Sequence, residues 1–95
     1  MPELVRRRVR ISGMVQGVYF RHSTRERARE LGLAGWVRNR SEGSVEAAFQ
    51  GPPEAVDEMI RWCHQGPPGS RVAAVEVIEE ASDEPLAGFS IRRTE

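Results

Sequence analysis

The order of two hydrophobic periodicities along the chain restricts its fold more than any other feature of the sequence. Apolar residues alternate with polar ones in several stretches, as in half-buried strands, and recur every three to four residues in two others, as in helices. We predict strands at VRRRVRIS, LAGWVRN, SVEAAFQ and RVAAVEVIEE, helices at RHSTRERARELG and GPPEAVDEMIRWCHQG, and a short last strand at GFSIRR. The order is therefore β-α-β-β-α-β with one further strand.

This order matches the split βαβ, or ferredoxin-like, pattern, an α+β sandwich with two helices on one face of an antiparallel sheet. The first two strands are then parallel and joined through the first helix, with the third strand between them. Their carboxyl ends share one edge of the sheet, about 10 Å apart at two strand spacings. The segment from Gly13 leaves the first of these ends and Asn39 stands at the second, so we expect the two to be neighbours.

Length, charge and cysteine content narrow the class of protein. Ninety-five residues suit one domain, residues 1–95. Fourteen basic residues, all of them arginine, balance 14 acidic ones, so the whole molecule does not attract nucleic acid or membranes. The single cysteine, Cys63, cannot form an internal disulfide, and no stretch resembles a signal peptide or a membrane span. We therefore expect a cytoplasmic monomer that binds neither nucleic acid nor membrane.

The stretch GMVQGVYFR, Gly13 to Arg21, has the composition of an anion-binding loop. Glycines allow a tightly curled backbone that aims successive N–H groups at one point, and the following helix adds unpaired amides and a positive dipole end. Arg21 adds paired donors that fit phosphate oxygens. The Gly-Lys-Ser/Thr of a Walker loop is absent, so these residues alone support equally well a purely structural turn packed on Val15, Val18 and Phe20.

Two motifs together resemble a known family. GMVQGVYFR followed by GWVRNRSEGSVE closely resembles the two signatures of acylphosphatases, small enzymes that hydrolyse the carboxyl-phosphate bond of acyl phosphates. The spacing of the motifs, the helix GPPEAVDEMIRW and the ending GFSIR fit as well, so the resemblance covers nearly the whole chain. It implies the ferredoxin-like fold and an acylphosphatase that needs no cofactor and no metal.

Carried over by position, the resemblance implies roles for particular residues. Arg21 would bind the phosphoryl group, Asn39 would orient the attacking water, and backbone amides of the loop would hold the phosphate oxygens. These amides belong to Val15, Gln16, Gly17, Val18, Tyr19 and Phe20. The substrate would be a small acyl phosphate, with inorganic phosphate or sulfate as competing ligands. Arg40 and Arg93 depart from the best-known animal pattern, which has a small hydroxyl residue and an aromatic there.

Polar residues near the loop receive structural interpretations. Gln16 is expected to hold the shape of the loop. His22 is expected to face solvent, because it points about 100° around the helix from Arg21. Thr24 either bonds back to the loop or caps the helix. Ser23 with Glu26 could form a capping box, or the helix could already include the residues before it.

Aromatic, thiol and imidazole groups are also assigned mainly to structure. Trp36 and Trp62 are interpreted as packing residues, and Tyr19 is placed at the mouth of the site. A thiolate nucleophile would lie inside the anion loop, whereas Cys63 lies on the apolar face of the second helix. The two histidines, His22 and His64, are far apart and lack carboxylate companions, which disfavours a metal site.

Two functions without catalysis compete with this interpretation. RNA-recognition domains share the βαββαβ order but stack bases on aromatic residues of the central strands. Here the outward positions of the first and third strands are Arg6, Arg8, Arg10, Ser44, Glu46, Ala48 and Gln50. A regulatory or protein-binding domain of the same fold is the other alternative.

Acylphosphatase-like segments also stand at the front of larger carbamoyl-transfer maturation enzymes. The sequence ends directly after the domain and has no zinc-type cysteine pairs, so we expect a free-standing enzyme. The presence of both Arg21 and Asn39 favours catalysis over a binding role.

Overall fold

Strands and helices follow one another in the predicted order. The computed structural model describes residues 3–80 and 86–95. It contains β1 (Val5–Met14), α1 (Phe20–Glu30), β2 (Ala34–Asn39), β3 (Val45–Gly51), α2 (Pro53–Gln65), β4 (Arg71–Glu80) and β5 (Phe89–Ile91). The predicted ferredoxin-like α+β fold with an additional C-terminal strand is thus confirmed. Most of the predicted polar connection at 81–87 lies outside the described residues.

The sheet has the strand order β4-β1-β3-β2-β5. Pairing is antiparallel from β4 to β2, and Val9 and Val37 both lie opposite Ala47 of β3. The short β5 instead runs parallel to β2, with Ile91 beside Val37. Because β1 and β2 both pair antiparallel with β3, they are parallel to each other, and their carboxyl ends lie at one edge of the sheet.

An apolar core lies between the sheet and the two helices. Alternating residues of the strands face the helices, and each helix supplies a buried stripe at three-to-four-residue spacing. The buried side chains include Val9, Ile11, Phe20, Thr24, Ala28, Val37, Val45, Ala47, Phe49, Val56, Met59, Cys63 and Phe89. Since burying one large apolar side chain contributes about 1.5–3 kcal/mol, this face supplies most of the hydrophobic stabilisation.

Helix α1 begins earlier than a capping box would place it. Its N-cap is Tyr19 and no side chain caps its first turn, so Ser23 and Glu26 lie within the helix. Arg21 is therefore in the first turn, next to the buried Phe20 that anchors the helix end in the core. The buried ring, rather than a polar cap, explains why the helix starts here.

The face of the sheet opposite the helices is covered by long charged side chains. Glu46 is only 4% exposed although it points away from the apolar core. Its Oε1 accepts a hydrogen bond from Arg38 Nε at 2.8 Å and lies 2.7 Å from Arg38 Nη2 and 3.5 Å from Arg40 Nη1. Its Oε2 lies 3.4 Å from Arg8 Nη1. Three guanidinium groups thus converge on one carboxylate and bury it, because arginine can lay its stem along the sheet.

The same face also holds an aromatic ring between cations. Trp36 is half-buried, and the guanidinium carbons of Arg38 and Arg92 lie 4.9 and 4.6 Å from its ring centroid. Gln50 is buried and accepts hydrogen bonds from Arg6 at 2.8 and 3.0 Å. Trp36 is therefore packed by arginines and is not an open stacking surface for bases.

Candidate active site

A cavity of about 400 Å³ opens at the edge where β1 and β2 end. Its lining residues are Val15, Gly17, Tyr19, Phe20, Arg21, His22, Asn39 and Ile91. Six of the eight predicted site residues line the cavity, whereas Gln16 and Val18 do not. The topology explains why the loop residues and Asn39 line one cavity, because the segment after β1 and the last residue of β2 lie at the same edge of the sheet.

The backbone between β1 and α1 is curled and its donors are unpaired. Gly17 and Tyr19 adopt positive φ values of 77° and 62°, a region that glycine enters freely and tyrosine rarely. The space beside Gly17 is open, so its conformation rather than crowding requires glycine. The N–H groups of residues 15–20 donate no hydrogen bond to another described residue. Unpaired amides beside a helix N-terminus suit an anionic ligand.

Arg21 projects from the first turn of α1 into the lining of this cavity. The residue is half-buried, and its guanidinium group forms no hydrogen bond or ion pair with any described residue. No carboxylate of residues 3–80 or 86–95 belongs to the lining. The guanidinium therefore has its donors available for an external anion.

Asn39 lies across the cavity as the last residue of β2. Its backbone is held on both sides, paired with Val45 of β3 and accepting a hydrogen bond from Glu95 N–H at 3.2 Å. Ser41 N–H also donates to the backbone oxygen of Glu95, at 3.0 Å. The side-chain Oδ1 is buried and has no hydrogen-bond partner among the described residues. A buried polar atom of this kind calls for a water molecule or a ligand as its partner.

Gln16 connects the loop to the turn between β2 and β3. Its Nε2 donates to the carbonyl oxygens of Arg40 and Ser44 at 2.8 and 2.9 Å, so the predicted structural role is confirmed. The turn is itself closed by Glu42, whose carboxylate accepts hydrogen bonds from the hydroxyl and N–H of Ser44. These bonds, with smaller contributions from Arg40 and Arg10, hold the pKa of Glu42 below its usual range. The two walls of the cavity are thus linked directly.

Two residues that line the cavity were not predicted to do so. His22 is more than half exposed, as expected, but its ring also reaches the rim, where Nδ1 lies 3.1 Å from Arg25 Nη2. Ile91 reaches the cavity because β5 pairs with β2, a pairing that the sequence analysis did not assign. The inward position of Ile91 in GFSIRR was the available signal, and only the partner strand was missing.

The remaining candidates have structural surroundings. Thr24 Oγ1 donates to the carbonyl oxygen of Phe20 at 2.7 Å, where the loop joins the helix. Cys63 is buried in the core, and burial raises the pKa of its thiol to about 12, so it is an inert thiol as predicted. The ring of Trp62 packs against the ring of Phe20, with 5.6 Å between the ring centroids.

The described residues contain neither a metal-binding cluster nor a membrane-spanning helix. Residues 3–80 and 86–95 contain no group of three or more histidine, cysteine or acidic side chains that could hold a metal ion. In the same part of the chain, no helix has the length and apolar character needed to span a membrane.

Fold and cavity together define a class: a ferredoxin-like α+β protein with a cavity, lined by Arg21 and Asn39, at the edge where two parallel strands end. Comparisons with known proteins narrow this class. The family model of acylphosphatases matches residues 7–91. A curated acylphosphatase of Rubrobacter xylanophilus is 59% identical over 85 residues, which are 90% of this chain and 77% of that protein. The chain belongs to the acylphosphatase family, a family of hydrolases.

Solved structures agree with this assignment. An acylphosphatase from Coxiella burnetii superposes with a TM-score of 0.90 at 38% identity, covering 94% of this chain and 93% of that one. Full-length HypF in its phosphate- and nucleotide-bound form also matches, with a TM-score of 0.89 at 28% identity. That match covers 100% of this chain but only 13% of HypF, so the same unit also occurs inside a much longer protein.

Proposed function

We propose that the chain hydrolyses the carboxyl-phosphate bond of acyl phosphates, releasing a carboxylate and inorganic phosphate. In this proposal Arg21 and the N–H groups of residues 15–20 hold the phosphoryl group, and Asn39 orients the attacking water. One observation carries it: among the described residues, Arg21 lines the cavity without a side-chain partner, the amides beside it are unpaired, and no carboxylate belongs to the lining. Family membership supplies the reaction class.

The chemistry requires little from the protein. An acyl phosphate is a mixed anhydride, and its leaving group is a carboxylate with a pKa of about 4–5, judged from carboxyl side chains. Such a group leaves without a proton, so no general acid is needed. The remaining tasks are to hold the phosphoryl group, to offset the charge on its oxygens and to aim one water in line with the breaking bond.

Arg21 and the loop amides perform the first two tasks. The guanidinium offers two parallel donors to phosphoryl oxygens, and the amides surround the remaining oxygens with partial positive charge. A water oxygen attacks phosphorus while the bond from phosphorus to the acyl oxygen breaks, and the water's proton passes to the phosphate itself. None of these steps needs a metal ion, a cofactor or a covalent intermediate.

Asn39 performs the third task. Its buried Oδ1 lacks a partner among the described residues, so it accepts a hydrogen bond from the water without giving up an existing contact. Because its backbone is held by β3 and by Glu95, the amide stays at one place relative to the loop. The proposed site is thus built before the substrate arrives.

The test compares two alanine variants in the hydrolysis of benzoyl phosphate and acetyl phosphate, with excess chelator present. Arg21→Ala is expected to abolish both hydrolysis and inhibition by inorganic phosphate. Asn39→Ala is expected to lower kcat while the inhibition constant of phosphate changes little. Each loss should exceed about 3 kcal/mol of activation free energy if these groups act on the transition state.

Arg27→Ala is the matched control, because Arg27 lies on the same helix, contacts Glu30 and Glu58, and does not line the cavity. It should keep wild-type hydrolysis. The wild type should cleave acyl phosphates but not an ordinary phosphate monoester, whatever the chelator concentration. Near-normal turnover in Arg21→Ala or Asn39→Ala contradicts the assigned roles, and an inactive wild type would leave a binding or regulatory domain.

A further inference from the structure

The cavity is larger than the group that the proposed mechanism places in it. A phosphoryl group has few heavy atoms, and a water molecule occupies ~30 Å³ of liquid, whereas the cavity measures about 400 Å³. Space of this size is within the usual range for sites that enclose a small organic ligand. The part of the cavity beyond the phosphate loop is therefore available to the rest of the substrate.

Apolar side chains line that remaining part. Besides Arg21, Asn39 and His22 the lining contains Tyr19, Ile91, Val15 and Phe20, of which Val15 and Phe20 are fully buried in the core. Tyr19 and Ile91 are the two apolar lining residues that keep surface free, Tyr19 on the loop and Ile91 on β5. They are far apart in the sequence but line the same cavity.

Tyr19 contributes little to the stability of the fold. Its side chain is 81% exposed, and its hydroxyl has no partner among the described residues. It is also the one described residue other than glycine with a positive φ, a conformation that bulky residues rarely adopt. A strained backbone thus carries an aromatic ring at the cavity with most of its surface unused, although aromatic rings are usually buried.

We infer that Tyr19 and Ile91 form a subsite for the acyl group, one that favours aromatic and other apolar acyl phosphates over acetyl phosphate. This inference rests on the proposed function, because it assumes that the phosphoryl end lies against Arg21 and the loop. The acyl end then points to the cavity opening, where the tyrosine ring covers one face of an aromatic acyl group and the isoleucine covers its edge. The subsite determines specificity and takes no part in bond breaking.

Two non-hydrolysable ligands test the inference by binding alone. Phenacylphosphonate and acetonylphosphonate replace the bridging oxygen of benzoyl and acetyl phosphate with carbon and differ only in phenyl against methyl. Titration of the full chain should show the phenyl ligand binding about tenfold more tightly, as expected for partial burial of one aromatic ring. In Tyr19→Asn the preference should fall to about twofold.

Variants separate the ring from the backbone and the hydroxyl. Asparagine accepts the left-handed conformation well, so Tyr19→Asn is expected to fold, which thermal unfolding checks. Tyr19→Phe keeps the ring and should keep the tenfold preference. Ile91→Ala, on the other wall, should lower the preference about threefold.

Each outcome decides the question. A wild-type preference near one, or a tenfold preference that survives Tyr19→Asn, overturns the subsite while leaving the proposed hydrolysis intact. A preference that depends on Tyr19 in a protein that does not hydrolyse acyl phosphates supports the subsite and contradicts the proposed function. Failure of the wild type to bind either phosphonate or inorganic phosphate contradicts both.

Discussion

The central strand β3 is buried on both faces of the sheet, but by opposite chemistry. On one face the helices bury Val45, Ala47 and Phe49 of β3 among apolar side chains. On the other face Glu46 and Gln50 of the same strand are buried beneath arginine side chains. The first face gains free energy from removing apolar surface from water, whereas the second must recover the cost of desolvating charges through ion pairs and hydrogen bonds.

This difference shows that arginine serves two opposite purposes in the chain. Arg8 and Arg38, on the face of the sheet opposite the helices, form ion pairs with carboxylates, so their charge is balanced within the protein. Arg21 at the edge of the sheet has no such partner among the described residues and lines the cavity. The presence of arginine alone therefore does not indicate a functional site in this chain. The absence of a neighbouring carboxylate is the feature that distinguishes Arg21 from Arg8 and Arg38.

The largest expected effect lies on the helix-covered face. Phe49→Ala should lower the free energy of unfolding by about 3–5 kcal/mol, because Phe49 is fully buried and stacks on Phe89 at 5.8 Å. Urea denaturation followed by fluorescence measures the loss. If the loss were below about 1 kcal/mol, apolar packing would not be the main support of this face.

A smaller effect is expected on the charged face. Glu46→Gln keeps the shape of the side chain but removes the negative charge that three arginines share, so stability should fall by about 1.5–3 kcal/mol. Glu80→Gln is the matched control. Among the described residues the Glu80 carboxylate forms an ion pair only with Arg8, and it is more exposed than Glu46, so its replacement should cost about 0–1 kcal/mol. Equal losses in the two variants would show that convergence on Glu46 adds nothing.

The smallest expected effect is a loss of stability at alkaline pH, which arises from Cys63 on the helix-covered face. Burial raises the pKa of Cys63 from 9.0 to about 12 in the folded protein. Between these two values the unfolded chain has lost the thiol proton and the folded protein still holds it, so the unfolded chain binds fewer protons. Stability is unaffected below pH about 9 and falls as the pH rises toward about 12, by about 1.5 kcal/mol at pH 10.

The chain offers a clean background for that measurement. It has no lysine, so no lysine side chain contributes to the pH dependence of stability in this range. Unfolding of Cys63→Ala should therefore show a shallower alkaline decline than unfolding of the wild type. Parallel declines would place the alkaline sensitivity elsewhere.

Much of the architecture could be predicted because it depends on local periodicity. The alternation in VRRRVRIS and the stripe of Val56, Met59 and Cys63 identify their elements without tertiary information. The neighbourhood of the loop and Asn39 also followed, since the topology brings two parallel strand ends to one edge. The fold and the main parts of the cavity were within reach of the sequence.

Other features depend on contacts between distant residues. The start of α1 was open because a capping box at Ser23 competed with burial of Phe20, and packing decided it. The alternation of β3 places Glu46 at an outward position, yet Glu46 is buried because arginine side chains from β1 and β2 cover it. The place of Ile91 required knowing that β5 pairs parallel with β2, which no local pattern specifies.

The hydrogen bonds that join Glu95 to Asn39 and Ser41 have a practical consequence for anyone who engineers this protein. A reporter or affinity tag attached after Glu95 would emerge next to the wall that carries Asn39, and could pull on it or shade the opening. An attachment before β1 starts at the opposite end of β1 from the loop of residues 15–20. Immobilisation from that side should leave ligand access unobstructed.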